Sequence, residues 1–137
     1  MDEAAIMAHL MATFDDVHVA EADGSYFFFD SETKKFPFAT LVTSDSYDGF
    51  SNLGRLGVFR LNMGISRRTF GELFPANPDA LSLEPPAPDY TVLDELMPHP
   101  VYAGMHWVCV LNPSAATFEK VRPLLAEAHA QASGKAF

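Results

Sequence analysis

Apolar residues recur at helical intervals over the first fourteen positions, where Ile6, Met7, Leu10, Met11 and Phe14 fall at spacings of one, three, one and three. Such a stripe predicts one amphipathic helix, with Asp2 and Glu3 in its first turn, where the helix dipole favours negative charge. The pattern then changes to short strand-like runs. Val17–Ala20 is followed by the turn signal Asp23-Gly24, Tyr26–Asp30 is aromatic-rich, Ser31–Lys35 is polar, and Phe38–Thr43 is β-branched. After a glycine-containing loop from Asn52 to Gly57, the run Gly57–Met63 alternates. Phe59, Leu61 and Met63 fall on one face, and Val58, Arg60 and Asn62 on the other. Successive runs joined by short turns predict an antiparallel meander, because parallel strands need long crossovers.

Beyond Gly64, Ser66 is placed to cap a helix carrying Phe70, Leu73 and Phe74, which Pro75 stops. Residues 75–100 hold seven of the ten prolines. A connection of that length is uncommon in a compact domain and is functional or mobile. A single helical turn is expected at Tyr90–Met97 and a last strand at Met105–Leu111. Pro113-Ser114 opens a final helix whose Phe118, Val121, Leu125 and Ala128 share one face, and Pro123 within it predicts a kink or a later start. These elements predict one α+β domain over residues 1–137, a single antiparallel β-sheet packed with about three helices on one face.

Composition narrows the function. The chain has 137 residues, 48% hydrophobic and 20% charged, which excludes disorder and supplies a core without disulfide or metal. The single cysteine, Cys109, lies in an apolar run and reads as a small buried side chain. A net charge of −9 opposes binding to nucleic acid or anionic membranes. No run approaches the roughly 20 apolar residues that span a bilayer. Met1-Asp2-Glu3 is acidic where a signal peptide is basic, so a cytoplasmic protein is expected.

Against that negative background, Gly49 to Gly71 contains Arg55, Arg60, Arg67 and Arg68 and no acid, a local charge of +4 that leaves −13 for the remainder. Arg67 and Arg68 fall in the first turn of the middle helix, where the dipole opposes cations. An anion at the Ser66 cap, held by Arg60, Arg67 and Arg68, would cancel the mismatch; the alternative is that these arginines pair with the protein's own acids. A second constellation joins His106 to Arg60 and Asn62 if their strands are neighbours, with His106 as a candidate catalytic acid or base. The alternative is a polar face covered by the long loop. Tyr102 and His99, between Pro98 and Pro100, can form a rim over the sheet, and Trp107 reads as a core anchor. His99 and His106 match no zinc spacing, His9, His18 and His129 read as surface residues, and no motif implies a cofactor.

The runs Phe36-Pro37-Phe38-Ala39-Thr40, Gly57-Val58-Phe59-Arg60-Leu61-Asn62, Pro98-His99-Pro100-Val101-Tyr102, Met105-His106-Trp107-Val108 and Asn112-Pro113 resemble the bacterial domain of unknown function 6194 family across most of the chain. More distantly, the layout is similar to the MmcQ/YjbR-like family, in which a His-Trp pair opens the last strand as His106-Trp107 does here. The resemblance implies a CyaY-like α+β fold and carries no established activity. Three functions therefore stand open. The first is a binding domain for a small anionic ligand or acidic peptide at Arg60, Ser66, Arg67 and Arg68. The second is a small enzyme using His106 with Arg60 and Asn62. The third is nucleic-acid binding, as suggested for YjbR-like proteins, which the acidic charge disfavours.

Overall fold

The structure, a computed structural model, describes residues 2–31, 36–75 and 88–134. The N-terminal stripe forms helix α1, Glu3–Thr13. Asp2 is its cap rather than part of its first turn, and its carboxylate accepts from the Ala5 N–H at 2.8 Å. Ile6 and Leu10 are fully buried and Met7 and Phe14 partly so, whereas Met11 is half-exposed at the stripe's margin.

Six strands follow in one antiparallel sheet: β1 His18–Ala22, β2 Ser25–Phe29, β3 Ala39–Val42, β4 Arg60–Gly64, β5 Met97–Pro98 and β6 Trp107–Leu111. Their spatial order is β1-β2-β3-β4-β6-β5. Asp23 and Gly24 join β1 to β2 with φ of 53° and 76°, the left-handed pair that a two-residue hairpin of matching twist requires. The expected helical turn at Tyr90–Met97 does not form. After a turn at Tyr90 and Thr91 the chain instead follows the sheet edge, bending at Asp94 (φ 62°), with Leu93 bridging Leu111 and Met97 pairing with Cys109. A 3-10 turn at Ala103–Met105 takes the start of the expected last strand, which begins at Trp107. Residues 76–87 of the proline-rich segment lie outside the described residues.

The middle helix, α2, covers Arg67–Leu73, and the last, α3, runs unbroken through Pro123 from Ala115 to Ala132. All three helices pack on the same sheet face. Phe28, Ala39, Leu41, Leu61, Met63, Val108 and Val110 meet α1 and α3 there, with Phe118, Val121, Leu125 and Ala128 contributed by α3. His129 is not a free surface residue. Its ring stacks on Phe14 at 4.4 Å and meets Phe38 edge-on at 5.1 Å, tying the end of α3 to the end of α1.

The N-terminus of α2 is already supplied with an anion by the protein itself. Ser66 Oγ caps it by accepting from Thr69 N at 3.1 Å, while Glu127 Oε1 of α3 accepts from Ser66 N at 3.1 Å and Thr69 Oγ1 at 2.8 Å. Glu127 is only 4% exposed. Hydrogen bonds to a buried carboxylate are among the stronger ones, and deleting the acceptor leaves their donors unmet. Glu127→Ala is expected to lower unfolding free energy by about 2 kcal/mol in urea denaturation and to speed amide exchange in α2 first. Uniform exchange across the molecule would show that Glu127 does not hold that helix.

Candidate functional site

The outer face of the sheet carries Phe27, Thr40, Val42, Arg60, Asn62, Trp107, Cys109 and Leu111, and it is roofed by chain connections instead of helices. The segment between β3 and β4 folds back over one part, and the segment from residue 88 through β5 covers another. Val42, Leu53, Met97, Cys109 and Leu111 form a second small core beneath them. Arg55 staples the two connections together, donating to the carbonyls of Asn52 at 2.9 Å, Ser51 at 3.0 Å and Thr91 at 2.8 Å.

Strand alternation puts the long side chain of Arg60 inside this face, where only 1% of the residue is exposed. An isolated buried guanidinium would be strongly unfavourable, and the fold neutralises it. Asp48 receives Nη1 at 3.0 Å and Nη2 at 2.7 Å, Ser51 Oγ receives Nη1 at 2.9 Å, and Asn62 Oδ1 receives Nε at 2.9 Å. Register continues the row across the sheet, since Thr40 lies opposite Asn62 and its hydroxyl accepts from Asn62 Nδ2 at 2.8 Å. The Arg60 hydrogen bonds hold the Asp48 carboxyl below its ordinary range against the opposing effect of burial.

His99 faces this row from the β5 side and is 3% exposed. Its Nδ1 accepts from the backbone N–H groups of both Val101 and Tyr102, each at 3.0 Å. Nδ1 is therefore unprotonated, and the neutral ring carries its proton on Nε2. Burial, helped by the nearby Arg60 charge, pushes its pKa down to about 4. The same two N–H bonds close the turn that leads to Tyr102, whose ring lies 5.1 Å from that of His99.

Together these groups line a partly open cavity of about 510 Å³. Thr40, Asp48, Arg60, Asn62 and His99 line its polar side. Phe27, Phe36, Pro37, Val42, Tyr47, Val101, Tyr102, Met105 and Trp107 supply its apolar walls. Gly64 is needed for one wall, because a Cβ there would stand 2.8 Å from the Trp107 indole. A more open hollow of about 470 Å³ shares Phe36, Pro37, Met105 and Trp107 with it.

Of the residues singled out from sequence, Arg60, Asn62, His99 and Tyr102 meet in this cavity. Ser66, Arg67 and Arg68 lie apart from it at α2, where Arg67 is exposed and Arg68 pairs with Glu72 at 3.3 Å. Arg60 therefore does not join them in one corner. His106 does not join Arg60 and Asn62 either. It precedes β6 in a left-handed conformation, φ 65°, and its ring packs 5.7 Å from Phe70 of α2. Trp107 walls the cavity rather than anchoring the core. Sequence reasoning missed Asp48 and Thr40. Asp48 looks like a turn residue, and Thr40 acquires meaning only from register.

Cys109 is buried, and desolvation pushes its thiol up to about 12. Among the described residues no three His, Cys, Asp or Glu side chains come together as a metal site, and no helix is long and apolar enough to cross a membrane. Among known proteins, the model described as "Family of unknown function (DUF6194)" matches residues 1–137. No curated protein and no solved structure matches the chain.

Two measurements test the site's electrostatics. Asp48→Ala strands a buried guanidinium and is expected to cost about 3 kcal/mol, whereas the Asp48→Leu, Arg60→Met double variant costs less than Asp48→Ala alone. Additive losses in urea denaturation would refute the coupling. For pH, a histidine whose folded pKa is depressed from 6.5 to about 4 stays neutral in the fold while the unfolded chain takes up a proton. Its stabilisation is complete above pH 6.5 and is lost as pH falls toward 4, a change on the order of 3 kcal/mol. His99→Asn, whose Oδ1 can take the place of Nδ1, should flatten the stability profile in that window; an unchanged slope would place the titration elsewhere.

Proposed function

We propose, for a chain that belongs to the DUF6194 family of unknown function, that it is a binding domain holding a small, largely apolar molecule in the outer-face cavity. One observation carries this reading: an aromatic-walled, partly open cavity of about 510 Å³ lies over a short row of polar groups that are already held by hydrogen bonds within the fold. That is the usual make-up of a small-molecule site, with apolar surface for affinity and few polar groups for orientation. Rigid positioning lowers the ordering cost of binding.

The position of the polar row supports binding over acid–base catalysis. His99 is neutral through the physiological range and its Nδ1 is committed to two backbone donors, so it does not serve as a base. Arg67 and Arg68 lie apart from this cavity, and Arg60 within it is already paired with Asp48, which moves the reading from an anionic ligand to an uncharged one. The YjbR-like layout would suggest nucleic acid, and the net charge of −9 argues against it. A cytoplasmic setting belongs to the same proposal and suits the single buried thiol.

The neutral fluorophore N-phenyl-1-naphthylamine probes the site without a charge of its own. It is expected to bind saturably at one site per chain, quench Trp107, and shift amide resonances of Val42, Val101 and Tyr102 in heteronuclear NMR. Shifts confined to Ala128 and Gln131, or no saturable binding, would refute the reading.

A further inference from the structure

We infer that the occupant of this cavity presents an uncharged hydrogen-bond acceptor of the carbonyl class, such as a ketone, ester or amide oxygen, to the row Thr40–Asn62–Arg60–His99. The inference rests on the cavity being a binding site and names the chemistry that site selects.

The first argument is a count of donors. A guanidinium has five N–H groups. Four of those of Arg60 are taken by Asp48, Ser51 and Asn62, which leaves one on Nη2. Asn62 uses one N–H of its Nδ2 on Thr40 and keeps the second. The Thr40 hydroxyl accepts that bond and has its own hydrogen uncommitted among the described residues. Because His99 Nδ1 is an acceptor twice over, its Nε2–H is a fourth donor with no described partner. Four side chains of one cavity wall thus retain donor capacity. A ligand whose polar end is itself a donor would set hydrogen against hydrogen.

The second argument is charge. Arg60 and Asp48 cancel, and His99 is neutral, so the polar row sums to zero. A carboxylate or phosphate entering here would give up its hydration without gaining an unpaired cation, and it would meet the Asp48 carboxylate that already holds Arg60. An ammonium would face Arg60 in the same way. The surrounding molecule, at −9, opposes an anion further. A neutral acceptor avoids both penalties and still satisfies the spare donors. The ring-lined walls accommodate an aromatic or alicyclic body behind it.

Acetophenone, benzoate and benzylamine share a ring and differ at the polar end, so they separate these possibilities. Each would be titrated into the intact protein up to about 10 mM, a range suited to fragment affinities, with amide shifts and Trp107 emission as readouts. Acetophenone is expected to bind at least about tenfold more tightly than either ion, and to weaken several-fold in His99→Asn and in Thr40→Val, each checked for retained fold by circular dichroism. Benzoate or benzylamine binding equally well in the cavity would overturn the inference and leave the binding function standing. N-phenyl-1-naphthylamine binding without acetophenone binding would do the same. Failure of the fluorophore and of all three fragments would overturn the function and the inference together.

Discussion

The buried pair between Arg60 and Asp48 is the constraint around which the outer half of this molecule is organised. A guanidinium on a central strand has neighbours on both sides, β3 and β6, so it cannot swing to solvent past an edge. Its partners must be brought to it. The loop between β3 and β4 does this by folding back until Asp48 and Ser51 reach the guanidinium, and Arg55 fastens that loop to the segment before β5. Replacing such a pair with well-packed apolar residues is often neutral or better for stability, whereas removing one member is severe. The pair's contribution is therefore position: it determines where the roof of the sheet sits and hence the shape of the space beneath it.

The two sheet faces consequently use different physics. The inner face is buried by helices with apolar stripes, and its residues from β2, β3, β4 and β6 are nearly all fully enclosed. The outer face is buried by irregular chain, whose backbone groups must be satisfied individually. Asp45 receives the Leu53 N–H, Asn112 receives the Phe59 N–H and donates to the Gly57 carbonyl, and His99 receives two amides. Side chains thus act as backbone partners throughout this half, and one of them, His99, also lines the cavity.

This division explains what the sequence discloses and what it withholds. The apolar periods of α1 and α3, the Ser66 cap, the Asp23-Gly24 turn and the alternation of Phe59–Met63 are local signals, and the elements they indicate are present. Alternation also places Arg60 and Asn62 together, so half of the polar row is legible. The rest depends on contacts between distant residues. Asp48 reaches Arg60 across a loop with no period, and Glu127 meets Ser66 from 61 positions away. His106 looks like a strand residue beside the polar row, but its left-handed backbone marks a turn at which β6 has not begun, and it faces α2. His99, seven residues earlier in a proline-flanked run, occupies the position that parity alone assigned to its neighbour.

That exchange of one histidine for another changes the chemistry available. In general a solvent-reachable histidine can serve as donor or acceptor and carry a variable charge. His99 does neither. Two backbone amides fix its tautomer, and burial beside Arg60 keeps it uncharged at any pH well above about 4. The hydrogen bonds from Arg60 hold the Asp48 carboxyl below its ordinary range. The polar row accordingly keeps one pattern of donors, with no net charge, across the whole physiological range. A wall of that kind is suited to recognising a fixed dipole and poorly suited to transferring protons.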